Sequence, residues 1–113
     1  MRFLLALLLL SSCSHAPAES EYERVRATEI AGLNRHDVDT QLAEANAELT
    51  VVEDRLAITR ARRDNLQGQA STDVNKQNAV EGAEAELATL QSRRGVLLHE
   101  QHLLEARSRE LAN

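Results

Sequence analysis

Apolar residues recur along most of this chain in alternating steps of three and four residues, the spacing of a coiled-coil seam. One series occupies residues 38–66 and a second occupies residues 80–111. The first consists of Val38, Leu42, Ala45, Leu49, Val52, Leu56, Thr59, Arg63 and Leu66. The second consists of Val80, Ala83, Leu87, Leu90, Arg94, Leu97, Gln101, Leu104 and Leu111. Each series predicts a long helix with one buried edge.

The interval between the two series carries the signals of a helix end and a new helix start. Gly68 suits the end of the first helix. Ser71 or Thr72 suits the N-cap of the second, with Asp73 favourable in its first turn. We therefore expect an all-α fold, an antiparallel coiled-coil helical hairpin with arms over about 36–67 and 72–111. Each arm would be about 45–55 Å long.

A short helix is expected before the hairpin, over about residues 21–33. Its apolar residues are unevenly spaced: Tyr22, Val25, Ile30 and Leu33. Gly32 and Asn34 then favour a break or a kink. Residues 21–113 would thus form one helical domain.

Two registers of the hairpin keep one seam opposite the other. A wide-loop register forms leucine layers, Leu56 on Leu90 and Leu49 on Leu97. It also brings like charges together, Arg55 near Arg93 and Glu48 near Glu100. A tight-turn register forms the layers Leu49 on Leu90 and Leu42 on Leu97. It brings opposite charges together, Arg55 near Glu86 and Glu48 near Arg93, and it leaves Arg63 opposite Lys76. Because flanking charges usually select the register, the sequence favours the tight turn.

Apolar residues also lie off the seam and widen the apolar face beyond what two helices need. They are Val51, Ile58, Val96, Leu98 and Leu103. A hairpin with a core one stripe wide is marginally stable by itself. We therefore expect self-association or a partner helix.

The first 12 residues have the pattern of an export signal. Arg2 is followed by eight apolar residues over 3–10, and Ser11 and Ser12 are small. Eight helical residues cover about 12 Å, whereas the hydrocarbon core of a bilayer is about 30 Å thick. The segment is therefore interpreted as a cleaved signal peptide and not as a membrane span.

Leu10-Ser11-Ser12-Cys13 resembles the lipobox of bacterial lipoproteins. The resemblance implies cleavage before Cys13, a diacylglycerol thioether on its sulfur and an acyl chain such as palmitate on its new amino group. Two or three acyl chains anchor a protein stably in a membrane. Residues 13–20 would then be a lipidated tether. Ser14, in place of an aspartate, implies transfer to the outer membrane in Gram-negative relatives, with the protein facing the periplasm.

A second cleavage site leaves one alternative open. Ala16-Pro17-Ala18 is similar to the A-x-A site of ordinary signal peptidase, which would release a soluble periplasmic protein. Acylation of Cys13 distinguishes the two outcomes.

Composition and charge restrict the chemistry. Phe3 and Tyr22 are the only aromatic residues, which disfavours a compact core. The net charge of −5 disfavours nucleic acid binding. The pattern contains no nucleophile–base pair or phosphate-binding glycine loop, and an elongated hairpin lacks a concave pocket. We expect no enzyme activity, no small-molecule substrate and no cofactor beyond the lipid on Cys13.

Three minor features remain as candidates. His99 and His102 stand three residues apart with Glu105 three further on, a spacing that could bind a divalent metal but that commonly lies on a solvated face. Arg60, Arg62 and Arg63 form a basic cluster that is either solvated or a docking point for an acidic partner. Gly82 and Gly95 permit close helix approach, a slight bend, or neither.

These features favour a membrane-anchored lipoprotein with a structural or protein-interaction role in the bacterial envelope. Its lipid would hold one end while the hairpin reaches into the periplasm toward a helical partner. It resembles in general form the coiled-coil lipoproteins that brace envelopes, but it ends in Leu111-Ala112-Asn113 and lacks their terminal lysine. The alternative is a periplasmic metal-sensing or chaperone-like hairpin.

Overall fold

The computed structural model describes residues 20–69 and 72–113, and within these ranges every secondary-structure element is an α-helix. Helix α1 covers Glu21–Ala31, α2 covers Arg35–Gln69 and α3 covers Val74–Ala112. Helices α2 and α3 pack extensively along their length and α1 packs on α3. The predicted all-α fold, a helical hairpin after a short helix, is confirmed. The predicted signal peptide and Cys13 lie outside the described residues.

Capping side chains begin each helix. The Ser20 hydroxyl accepts a hydrogen bond from the Glu23 amide at 3.2 Å, and the Asn34 side-chain oxygen accepts one from the Asp37 amide at 2.8 Å. Asp73 is the N-cap of α3 and accepts a bond from the Asn75 amide at 2.9 Å. The prediction of Ser71 or Thr72 as the N-cap, with Asp73 inside the first turn, is therefore wrong. The carboxylate serves as the cap itself, because carboxylates satisfy the exposed amides of a helix start well.

The core consists of two clusters along the seam. One holds Leu49, Val52, Leu56, Leu87 and Leu97, with Leu90 packed against it. The other holds Ile30, Ala45 and Leu104, with Leu33, Leu42 and Leu103 packed against it. Since Ile30 comes from α1, this second cluster joins three helices. Two of the predicted off-seam apolar residues are covered in this region: Leu103 packs against the second cluster, and Val96 is half-buried beside α1.

The register is the wide-loop one, so the preference for the tight turn is wrong. Gln101 donates to Asn46 at 2.7 Å and Arg94 to Glu53 at 3.4 Å. In the tight register each of these partners would lie about two helical turns, or about 11 Å, away. The wide register is also the one that stacks Leu49 on Leu97, and these two share a cluster.

The like-charge pairs that disfavoured this register find other partners. Arg93 turns to Glu48, with its Nη2 atom 2.6 Å from Glu48 Oε1. Arg62, and not Arg55, reaches Glu86 at 2.5 Å. Glu100 is met by side chains of α1. The repulsion expected between Glu48 and Glu100 is thus relieved by two arginines, one from α3 and one from α1.

Glycine does not mark close helix approach in α3. A methyl group built at Gly82 or at Gly95 would meet no atom within 4 Å outside its own helix turn. The close-approach interpretation of these two residues is therefore wrong.

Candidate functional site: the joint between α1 and the hairpin

Polar side chains converge where the first half of α1 lies along α3. The Tyr22 phenol donates a hydrogen bond to Glu100 Oε1 at 3.0 Å. The Arg26 Nε atom donates to the same oxygen at 3.2 Å. The side chains of Arg26 and Glu100 are 20 % and 13 % exposed, so this ion pair is largely shielded from water. We call the four side chains Tyr22, Arg26, Gln41 and Glu100 the α1 joint.

Arg26 connects all three helices. Its Nη2 atom donates to Gln41 Oε1 on α2 at 2.7 Å, and its Nη1 atom lies 3.3 Å from Glu29 Oε2 on α1 itself. With the bond to Glu100 on α3, the guanidinium uses the several donors of its planar fork on three separate acceptors. A lysine has a single nitrogen and cannot reach three such acceptors in the same geometry.

The carboxylate of Glu100 sets the ionisation of the neighbouring phenol. Its hydrogen bond and its negative charge raise the pKa of Tyr22 above the ordinary 10.0, and partial burial adds to the rise. The positive charges of Arg26 and Arg93 act in the opposite direction and only in part offset it. Tyr22 therefore stays protonated, and remains a donor to Glu100, to higher pH than a free tyrosine.

A groove of about 280 Å³ runs between α1 and α3 beside the joint. Its lining includes the Tyr22 ring, Gly95, Val96 and His99. Gly95 contributes open space, because no side chain projects there. The groove is mostly apolar with a polar end at Glu100.

The candidate metal ligands are not part of the shielded ion pair of the α1 joint. His99, His102 and Glu105 are all exposed on α3, and His99 borders the groove. Among residues 20–69 and 72–113, no three His, Cys, Asp or Glu side chains are grouped so that they could hold a metal ion.

The basic cluster near the end of α2 is divided among acidic neighbours. Arg62 binds Glu86, and Arg63 lies 3.0 Å from Asp64. Arg60 is exposed. The three arginines therefore do not act as one continuous cationic patch.

The predicted lipid-attachment residue, Cys13, lies outside the described residues. In the part of the chain that is described, none of the helices combines the length and the apolar character needed to cross a bilayer.

No protein-family model, curated protein sequence or solved structure matches this chain significantly.

Sequence reasoning missed the α1 joint, although one signal for it was present. The wide-loop register places Glu48 near Glu100, and two carboxylates at that spacing require a nearby cation. Arg26 is the cation that the fold supplies, from a helix whose uneven apolar spacing gave no hint of where it packs.

Proposed function

We propose that this protein is a lipoprotein of the bacterial envelope, anchored through acyl chains on Cys13, with a structural or protein-interaction role. The observation that carries the proposal is Leu10-Ser11-Ser12-Cys13 directly after an apolar segment too short to span a membrane. The helical hairpin agrees with such a role, because an exposed coiled coil offers long edges for binding other helices.

Metabolic labelling with palmitate tests the anchor. The wild-type chain should incorporate label, and Cys13→Ser should not. Ser12→Ala is a matched control, since it keeps a small residue before the cysteine and should label as the wild type does. Equal labelling of Cys13→Ser and the wild type would contradict the proposal.

The membrane that holds the protein is tested by the residue after the cysteine. With Ser14, the wild-type chain is expected in the outer membrane fraction on a density gradient. Ser14→Asp should move it to the inner membrane fraction while palmitate incorporation stays unchanged. A wild-type protein found in the inner membrane would contradict the outer-membrane assignment and leave the anchor intact.

A second copy of the chain is the partner that the surface of α2 favours. Val51 and Ile58, one heptad apart, are 52 % and 68 % exposed. Acidic Glu44 precedes them and basic Arg62 follows them on the same side of the helix. When two such helices pack antiparallel, with Val51 beside Ile58 of the second copy, Glu44 of each chain lies within about one helical turn of Arg62 of the other. This arrangement is self-complementary, as a twofold interface requires.

A further inference from the structure

Helix α1 runs back along the hairpin instead of extending it. Tyr22, at its start, contacts Glu100 and lies beside Gly95 of α3. Ile30, at its end, is buried with Leu104. Helix α1 is therefore parallel to α3, and its first residue lies beside the middle of that helix.

The two ends of the hairpin are far from this point. The tip end is where Gln69 and Val74 lie, and the base end is where α1 turns into α2 beside the last turn of α3. From Gly95, the tip end of α3 is roughly 20 residues away, about 30 Å along the helix axis. The base end is roughly 17 residues away, about 25 Å.

The chain that would join the lipid to α1 is short. Between Cys13 and Ser20 there are roughly seven residues, which span at most about 25 Å when fully extended. This length is too short for an upright hairpin with its tip end on the membrane, because the start of α1 would then lie about 30 Å from the lipid surface. An upright hairpin with its base end on the membrane requires nearly full extension, which costs conformational entropy.

We propose that the lipidated protein is held by its middle and lies side-on to the membrane, with α1 between the hairpin and the lipid surface. This inference rests on the proposed acylation of Cys13. It replaces the expectation that the lipid holds one end of the hairpin while the other end reaches across the periplasm. Both ends would then be presented near the same membrane.

The surface that α1 presents suits contact with lipid headgroups. Tyr22 and Val25 are 57 % and 51 % exposed, in the first two turns after the tether. Tyrosine is favoured at membrane–water interfaces because its ring is apolar and its hydroxyl is polar. The negative net charge of the chain gives no electrostatic attraction to anionic lipids, so this contact is apolar in origin.

Distances from the bilayer at the two ends test the orientation. The purified lipidated protein carries a single introduced cysteine at either Asn78→Cys near the tip end or Ala112→Cys at the base end. Both sites are exposed, and the thioether on Cys13 leaves the new thiol as the only one for a fluorophore. Energy transfer to headgroup-labelled lipid in phosphatidylethanolamine and phosphatidylglycerol vesicles then gives each distance.

A side-on protein should give tip and base distances that differ by less than about 25 Å, half the length of the hairpin. A larger difference, with the tip farther away, would overturn the proposal. Insertion of about 14 Gly and Ser residues between Ser14 and Ser20 adds reach of up to about 45 Å and should increase the tip distance. An unchanged tip distance in that variant would show that the short tether is not what prevents an upright orientation.

Vesicle flotation distinguishes a failure of the side-on orientation from a failure of the proposed acylation of Cys13. Protein that fails to float with vesicles, and whose mass shows no lipid, contradicts the acylation of Cys13. Protein that floats, with a tip far more distant than its base, contradicts only the side-on orientation.

Discussion

Arg26 is the side chain on which the position of α1 depends most. It is the common donor to Gln41 on α2 and Glu100 on α3, and it is 20 % exposed. Arg26→Ala should lower the free energy of unfolding by about 1–2 kcal/mol, because a largely shielded carboxylate loses its cation. Urea unfolding followed by circular dichroism measures this. Arg24→Ala, an exposed arginine of the same helix, is the matched control and should change stability little. Equal losses in both variants would show that the joint contributes nothing specific.

Ionisation of Tyr22 should make the free energy of unfolding depend on pH in the alkaline range. Its pKa is raised in the folded state by the hydrogen bond and charge of Glu100. A group with a raised pKa contributes stability that is complete below its unfolded value and is lost as pH rises through its folded value. The free energy of unfolding should therefore fall above pH 10 in the wild type. Tyr22→Phe should lack that part of the decline. If the two chains decline in parallel, the phenol is not coupled to folding.

A pH titration followed by phenolate absorbance measures the pKa of Tyr22 and so reports its contact with Glu100. Because the chain has one tyrosine and no tryptophan, the titration reports Tyr22 alone. Glu100→Gln removes the charge that raises the pKa and should shift the midpoint down toward the ordinary value. Glu105→Gln, an exposed carboxylate on the same helix, is the control and should leave the midpoint in place.

Helix α3 contains two glycines that its packing does not require. A methyl group at Gly82 or Gly95 meets open space. Each glycine costs about 1 kcal/mol relative to alanine in a helix interior. Gly82→Ala and Gly95→Ala should each raise the free energy of unfolding by about that amount. Gly68→Ala, in the last turn of α2, should raise it less because helix ends fray. A loss of stability in either interior variant would indicate that α3 needs a bend there.

The heptad pattern predicted most of the packing between helices α2 and α3. Leu49, Leu56, Leu87 and Leu97 are buried as their seam positions predict, since a 3.5-residue repeat has only one way to bury a continuous edge. The predicted register was wrong because two arginines relieve the repulsion between Glu48 and Glu100. Arg93 does so within the hairpin, and Arg26 does so from α1. The apolar pattern of α1 could not place that helix, because Ile30 is its one buried residue and Arg26 holds it by polar bonds to α2 and α3.

The proposed self-association rests on an exposed edge of α2 that carries Val51 and Ile58. In the antiparallel pairing around Val51 and Ile58, Glu44 of one chain approaches Arg62 of the other, and the reverse pair forms by symmetry. Ile58→Ser should weaken self-association, which sedimentation equilibrium measures, because it removes the most exposed apolar side chain of that edge.

Charge reversal distinguishes this pairing from apolar association without a defined register. Glu44→Arg places two like charges together and should weaken the dimer several-fold, as like-charge juxtaposition does in coiled coils. Adding Arg62→Glu should restore most of the affinity, since each reversed residue again meets an opposite charge. Arg62→Glu also removes the bond to Glu86, but both side chains are about half exposed and such a pair contributes little to stability. Asp39→Arg, on the other side of α2, changes the net charge equally and should leave association unchanged. If the double variant dimerises no better than Glu44→Arg alone, the second copy does not pack in this antiparallel register.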